Sequence, residues 1–222
     1  MEFRRVRGRP TVSGPGLPRT AAGKPAGRIA RWILVGWLAS GAAFAADKAP
    51  AGAVPAREPV IRHLAPRRDA ADLQRIRHFR GNLPLALRWR GNFAWARAEI
   101  VGLDKKEYFA HSRIQNLAGL SAAAARRLQG ISLAPDKDRA RFETLFVDYR
   151  GRVDGPGALP RWFDTEYKIL EDLAARLPDA SVRGTVRLYS NLEPCPSCRG
   201  VMRQFLACYT NVELLVLYEW PP

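Results

Sequence analysis

Two short runs near the C-terminal end, Asp164-Thr165-Glu166 and Pro194-Cys195-Pro196-Ser197-Cys198, combine an acid/base carboxylate with ligand-type residues. Two cysteines three positions apart at the start of a helix can offer two thiolates to one ion within a single turn. The partial positive charge of a helix N-terminus favours the thiolate form. A catalytic zinc takes three protein ligands and keeps its fourth place for water. Asp164, at the head of the neighbouring helical pattern, is the candidate third ligand. Glu166 lies two residues on and points in another direction, so it is free to take a proton from that water and return it to a leaving group. A Cys-x-x-Cys pair also serves redox chemistry, but prolines at 194 and 196 and the lack of a thioredoxin-like context favour metal.

The rival ligands are few. The chain has three cysteines, an odd number confined to its end, which excludes a disulfide framework. Cys208 has apolar neighbours in Phe205 and Leu206 and reads as a small buried residue. His63 and His78 sit among basic residues and read as surface positions. His111 is the alternative third ligand. It also reads as a satisfied strand histidine or, with Phe109 and Ser112, as part of a substrate pocket. Trp162 and Phe163 suit stacking or the core equally, Asn191 a cap or the site wall, and Arg199 and Arg203 either phosphate contact or a solvated helix face.

These residues need elements to position them. Asp164 to Leu177 is the clearest helix, with Ile169, Leu170, Leu173, Ala174 and Leu177 on one face. Val186 to Ser190 follows as a strand, Ser197 to Tyr209 as a helix, and Val212 to Tyr218 as an apolar run suited to a strand buried on both faces. Upstream, Phe93 to Val101 and Glu107 to Ile114 read as strands around a turn. Ser121 to Leu128 reads as a short helix stopped by Gly130, Phe142 to Tyr149 as strand-like, and Arg150 to Pro160 as a long loop. Alternating helices and strands predict an α/β layered domain over 83–222.

Residues from about 93 to 219 resemble the cytidine-deaminase superfamily, and most of all its bacterial toxin branches that act on nucleic acid. The resemblance rests on Asp164-x-Glu166 with Pro194-Cys195-x-x-Cys198, the helix–strand order around them, and the Phe109-Ala110-His111-Ser112 run. It implies a three-layer deaminase-like fold, with a central mixed sheet of about five strands and the zinc-site helices packed on it. It also implies Zn2+ as cofactor and hydrolytic conversion of cytosine to uracil on a base held outside any duplex stack. Catalytic Glu166, metal ligands Asp164, Cys195 and Cys198, and substrate-binding Phe109, His111 and Ser112 follow. The usual pattern in the superfamily is His-x-Glu, and some branches are similar to this chain in using Asp. Two thiolates and a carboxylate carry one negative charge more than a set with neutral histidine, so the water is acidified less and the demand on Glu166 rises.

The first half of the chain carries little of this chemistry. Residues 1–50 hold nine Lys/Arg against two Asp/Glu, and the remainder 27 against 19. The domain is therefore moderately basic, which fits a polyanion without requiring one. Residues 1–31 are rich in Arg, Gly, Pro and Ala and read as disordered. The apolar run from Ile33 to Ala46 ends in Ala43-Phe44-Ala45, so residues 1–46 read as a basic segment plus a secretory signal peptide cleaved near Ala45. That predicts a secreted or periplasmic protein with no stable membrane association after cleavage. An uncleaved anchor and a fortuitous apolar stretch are the alternatives. Residues 47–82 read as a linker with a short amphipathic helix over Asp69–Arg80 (Leu73, Ile76 and Phe79 at helical spacing), packing on the domain as a flap.

Three functions are compatible with these residues. The first is a secreted toxin or effector that deaminates cytosine in single-stranded DNA or RNA, with DNA favoured; by analogy with the toxin branches it implies a neutralising immunity protein. The second is a deaminase of free nucleosides or nucleotides, for which export and a basic chain are less expected. The third is a non-catalytic zinc-binding interaction module, which would want a fourth protein ligand and gives Glu166 no role.

Overall fold

Alternation of side chains along a few long strands builds one sheet with two unlike faces. The computed structural model describes residues 57–221; the basic segment, the apolar run and the cleavage position at Ala45 lie outside them. In chain order the strands are β1 (Val60–His63), β2 (Phe93–Ile100), β3 (Glu107–His111), β4 (Phe146–Val147), β5 (Leu159–Pro160), β6 (Arg183–Leu192) and β7 (Asn211–Trp220). The helices are α1 (Ala70–Asn82), α2 (Ala122–Arg127), α3 (Thr165–Ala174) and α4 (Pro196–Cys208). Five strands form a mixed sheet in the order β1-β7-β6-β2-β3, and β4 and β5 form a separate ribbon. β1, β7 and β6 run parallel, whereas β2 is antiparallel to both β6 and β3.

On one face Ala94, Ala96 and Ala98 of β2 leave room for Ile169, Leu170 and Leu173 of α3 and Val201, Met202 and Phe205 of α4. On the other face the large side chains of the same strands, Phe93, Trp95, Phe109 and Tyr189, meet Ile76 of α1 and Leu128 at the end of α2. The result is three layers, helices on both sides of the sheet. β7 contributes Leu214 and Val216 to one core and Leu217 to the other, as its nearly unbroken apolar run predicts. Each large side chain so buried contributes roughly 1.5–3 kcal/mol, which offsets the cost of the charged groups held inside near the site.

The sheet has five strands, but not the expected five. The strand-like segment 142–149 supplies only β4, because side chains take its backbone donors. Arg141 N and Phe142 N donate to the Glu171 carboxylate at 2.8–3.1 Å, Glu143 N to Gln204 Oε1 at 2.8 Å and Leu145 N to Ser197 Oγ at 2.9 Å. The segment is tied along α3 and α4 instead of entering a ladder. The edge strand is β1, inside the stretch expected to be linker, and Val60–His63 pairs with Leu215–Tyr218. The helix expected over Asp69–Arg80 is present, but as a layer of the fold and not a flap. Its anchors are Asp69, which accepts both Arg62 Nη atoms at 2.7–2.8 Å, and Asp72, which accepts Arg187 Nε at 2.9 Å. The sheet-bearing unit thus begins ahead of Leu83. Cys208, expected to be buried, is exposed, because α4 ends with that position turned to solvent. Among the described residues no helix is long and apolar enough to cross a membrane.

Candidate active site

Two helices begin at the same place. Asp164 is the N-cap of α3 and Cys195 the N-cap of α4, where Pro196 occupies the first turn. An N-cap carboxylate ordinarily accepts a backbone N–H of its own helix, yet Asp164 makes no such bond. Its Oδ2 lies 3.5 Å from Cys195 Sγ and 3.3 Å from Cys198 Sγ, and the sulfurs are 3.6 Å apart. That separation is far too long for a disulfide. It is close to the ~3.8 Å between two sulfurs sharing one tetrahedral zinc at ~2.3 Å. The three ligand atoms lie within 4.8 Å of one another. Two thiols and a carboxyl converging on one point, at the positive ends of two helices, fit a divalent zinc-type ion.

The electrostatics agree. Burial pushes the Asp164 carboxyl up, against the nearby Arg161 guanidinium and the two thiols, which pull it down. The hydrogen bond from Cys195, burial and the adjacent carboxylates Glu166 and Asp164 drive the Cys198 thiol well above its ordinary value. A buried carboxyl and a buried thiol that both resist ionisation are what a bound cation would relieve.

Glu166, in the first turn of α3, is buried, and its Oε2 accepts from Thr165 Oγ1 at 2.8 Å. Burial, then the neighbouring Asp164, raises its pKa. The residue that ties it to the sheet is Asn92, which the sequence did not single out. Asn92 Nδ2 donates to Thr165 Oγ1 at 2.8 Å and Ser190 Oγ at 2.9 Å, and lies 3.5 Å from Glu166 Oε2. Its backbone N donates to Ser112 Oγ at 2.9 Å. Gly91 before it has φ +81°, and a Cβ there would meet Ser112 Oγ at 2.8 Å, so only glycine delivers Asn92 to this spot. The single local signal was that Gly91-Asn92 pair, which reads as any turn before a strand.

Asp164, Glu166, Cys195, Cys198, Asn92 and Ser112 line one pocket of about 680 Å3. Of the three substrate-binding residues expected, only Ser112 is there. Phe109 points to the opposite face of the sheet, its ring 5.0 Å from Phe79 of α1. His111 shares that side and is fully buried. Its Nε2 faces Leu87 O at 3.1 Å and Arg90 O at 2.9 Å, while Nδ1 accepts Arg113 N at 3.2 Å. Both nitrogens are engaged, so His111 is the satisfied strand histidine and neither ligand nor pocket wall. Burial lowers its pKa, in keeping with a neutral ring.

Other candidates find partners or solvent. Arg199 braces the ligand loop, with Nη2 2.5 Å from Glu193 Oε1 and Nε donating to Pro194 O at 3.1 Å. Arg203 pairs with Glu58 at 2.7 Å. Phe163 and Asn191 line the pocket, whereas Trp162 lines a neighbouring hollow beside Tyr167. Around the mouth stand three aromatics that carried no sequence signal: Trp89, Tyr149 and Trp220, 78%, 82% and 59% exposed.

A family model described as Toxin-deaminase, the BURPS668_1122 family of deaminases, matches residues 76–220, from within α1 to the end of β7. No curated protein and no solved structure matches the chain.

Proposed function

The chain belongs to the BURPS668_1122 family of deaminases, and from that membership we propose that it converts cytosine to uracil in single-stranded nucleic acid, DNA foremost, with zinc at Asp164, Cys195 and Cys198. The observation that carries this reading is Glu166, a buried acid/base in the same pocket as a convergent two-thiol, one-carboxyl set. Zinc bound there would supply a water acidified toward neutral pH. Glu166 takes a proton, holds it on a carboxyl oxygen and delivers it to the cytosine ring nitrogen; a second transfer to the exocyclic nitrogen lets ammonia leave. Water and cytosine thereby become uracil and ammonia. The raised pKa of Glu166 suits a group that must keep a proton between two transfers. Thr165 and Asn92 hold its carboxylate in one orientation.

The open mouth supports a polymeric substrate. Exposed Trp89, Tyr149 and Trp220 offer faces on which bases can stack, at about 1–3 kcal/mol per base. A duplex would have to release its base to reach Glu166, so an unpaired strand enters at least cost. Export is supported by the basic segment and apolar run ahead of Ala45, and an effector role, with a neutralising partner, by the toxin-type family.

The test is to offer the zinc-loaded chain single- and double-stranded DNA, RNA and free cytidine and to measure uracil. Uracil in single strands that disappears in Glu166→Ala is the expected result. Conversion of free cytidine alone overturns the substrate, and bound zinc with no uracil from any substrate overturns the reaction.

A further inference from the structure

Building on that reading, we propose that the pocket contains a second subsite, where the nucleobase next to the target cytosine stacks against Trp89 and Trp220 and is read by Asn191 and Glu219. All four residues line the pocket that holds Glu166. They gather at the carboxyl ends of the parallel strands β6 and β7, the place where open α/β sheets bind ligands. The wall is firm there, since Leu192 pairs with Trp220 and Glu193 N donates to Trp220 O at 2.8 Å.

The polar groups are fixed by Arg80. Its Nη2 donates to Tyr189 Oη at 2.7 Å and Asn191 Oδ1 at 2.8 Å, and lies 3.6 Å from Glu219 Oε2. The guanidinium lies 5.5–5.8 Å from the rings of Trp89, Phe93 and Tyr189, and its Nε is buried without a partner. An enclosed cation with an orphaned donor is a poor way to stabilise a fold. It is a good way to hold two side chains in one orientation. Asn191 Oδ1 accepts from Arg80 at 2.8 Å, and a guanidinium facing the amide sets its direction, oxygen inward. Its Nδ2 then donates to no protein atom among the described residues. Glu219 Oε2 takes Tyr189 Oη, and Oε1 accepts no hydrogen bond among the described residues. A fixed donor and a fixed acceptor therefore share the pocket wall beside exposed indoles. The edge of a nucleobase carries the complementary pair. A phosphate does not fit, because Glu219 would repel it.

To test this, the zinc-loaded full chain is given single-stranded oligonucleotides with one cytosine and every combination of neighbours, and uracil is scored by sequencing. Rates are expected to differ by about tenfold to a hundredfold at one neighbouring position, the discrimination of one good hydrogen-bonded base contact. Asn191→Ala and Glu219→Gln should each bring that ratio toward one or change the favoured base. If Asn191→Ala does not fold, Trp220→Ala, which removes an exposed ring, should weaken oligonucleotide binding by Glu166→Gln about tenfold. Equal rates for all neighbours in the unaltered chain overturn the subsite and leave the deaminase reading standing, as does a preference or affinity that no variant moves. Absence of uracil from every oligonucleotide overturns both.

Discussion

The Asp164 carboxylate and the Cys198 sulfur meet at 3.3 Å although 34 residues separate them, because each belongs to the first turn of a helix and the two helices start side by side. Asp164 forgoes its capping bond to make this contact, so its replacement should be felt in metal binding more than in folding. Asp164→Ala and Cys198→Ala should each lose zinc. His111→Ala should retain it, yet lower thermal stability by about 1–3 kcal/mol as Arg90 O loses its donor and Leu87 O keeps only Arg90 N at 3.3 Å. Zinc content and melting temperature of the three variants decide. Zinc lost only with His111 reverses the ligand assignment.

Glu166→Gln keeps the shape of the buried side chain and removes its ability to carry a proton. Deamination should fall by about a hundredfold to ten-thousandfold, with zinc content unchanged. The metal-free variant should also be more stable than the metal-free parent near neutral pH, since a carboxylate held near Asp164 has been neutralised. Undiminished uracil formation would remove Glu166 from the mechanism.

Metal removal should carry a pH signature. Both Asp164 and Glu166 have folded-state pKa values raised above their ordinary 3.8 and 4.5, chiefly by burial. For an acid whose pKa is raised on folding, the stabilisation is complete below the ordinary value and is lost as pH rises through the folded value. The metal-free chain should therefore weaken as pH climbs from these carboxylate values toward neutrality. Zinc affinity moves the opposite way, because the ligands must shed protons to bind. The gain in melting temperature on adding zinc should grow between about pH 5 and about pH 8. A gain that is flat across that range would show that these carboxyls are not linked to the metal.

What the sequence made legible was local. The Asp164, Cys195 and Cys198 cluster, Glu166, α3 and α4 are carried by short spacings and by apolar periodicity, which one stretch of chain can display. Asn92 and Trp89 lie more than 70 residues from Glu166, and only the pairing of β2 with β6 brings Asn92 to Ser190 and Thr165. β1 is four residues among prolines and arginines, and becomes a strand because β7 offers it a free edge. Phe109 and His111 lie one pleat away from the pocket. They occupy the same strand as Ala110, but odd positions of β3 face α1 and even positions face α3.

Lys168 joins α3 to the pocket wall. One turn beyond Asp164, it is fully buried and its Nζ donates to His111 O at 3.0 Å and Ile114 O at 2.8 Å. Burial pushes its pKa down to about 8, so it still holds its proton at neutral pH. The turn it grips carries Ser112, whose Oγ accepts Asn92 N. Lys168→Met keeps the length of the side chain and strands Ile114 O, while His111 O keeps the Ile114 N–H, which should cost about 1–3 kcal/mol. Through Ser112 and Asn92 the orientation of Glu166 should loosen, lowering kcat by about tenfold while zinc content stays near that of the parent. A variant with unchanged melting temperature and full kcat would mean that the turn is held by other contacts.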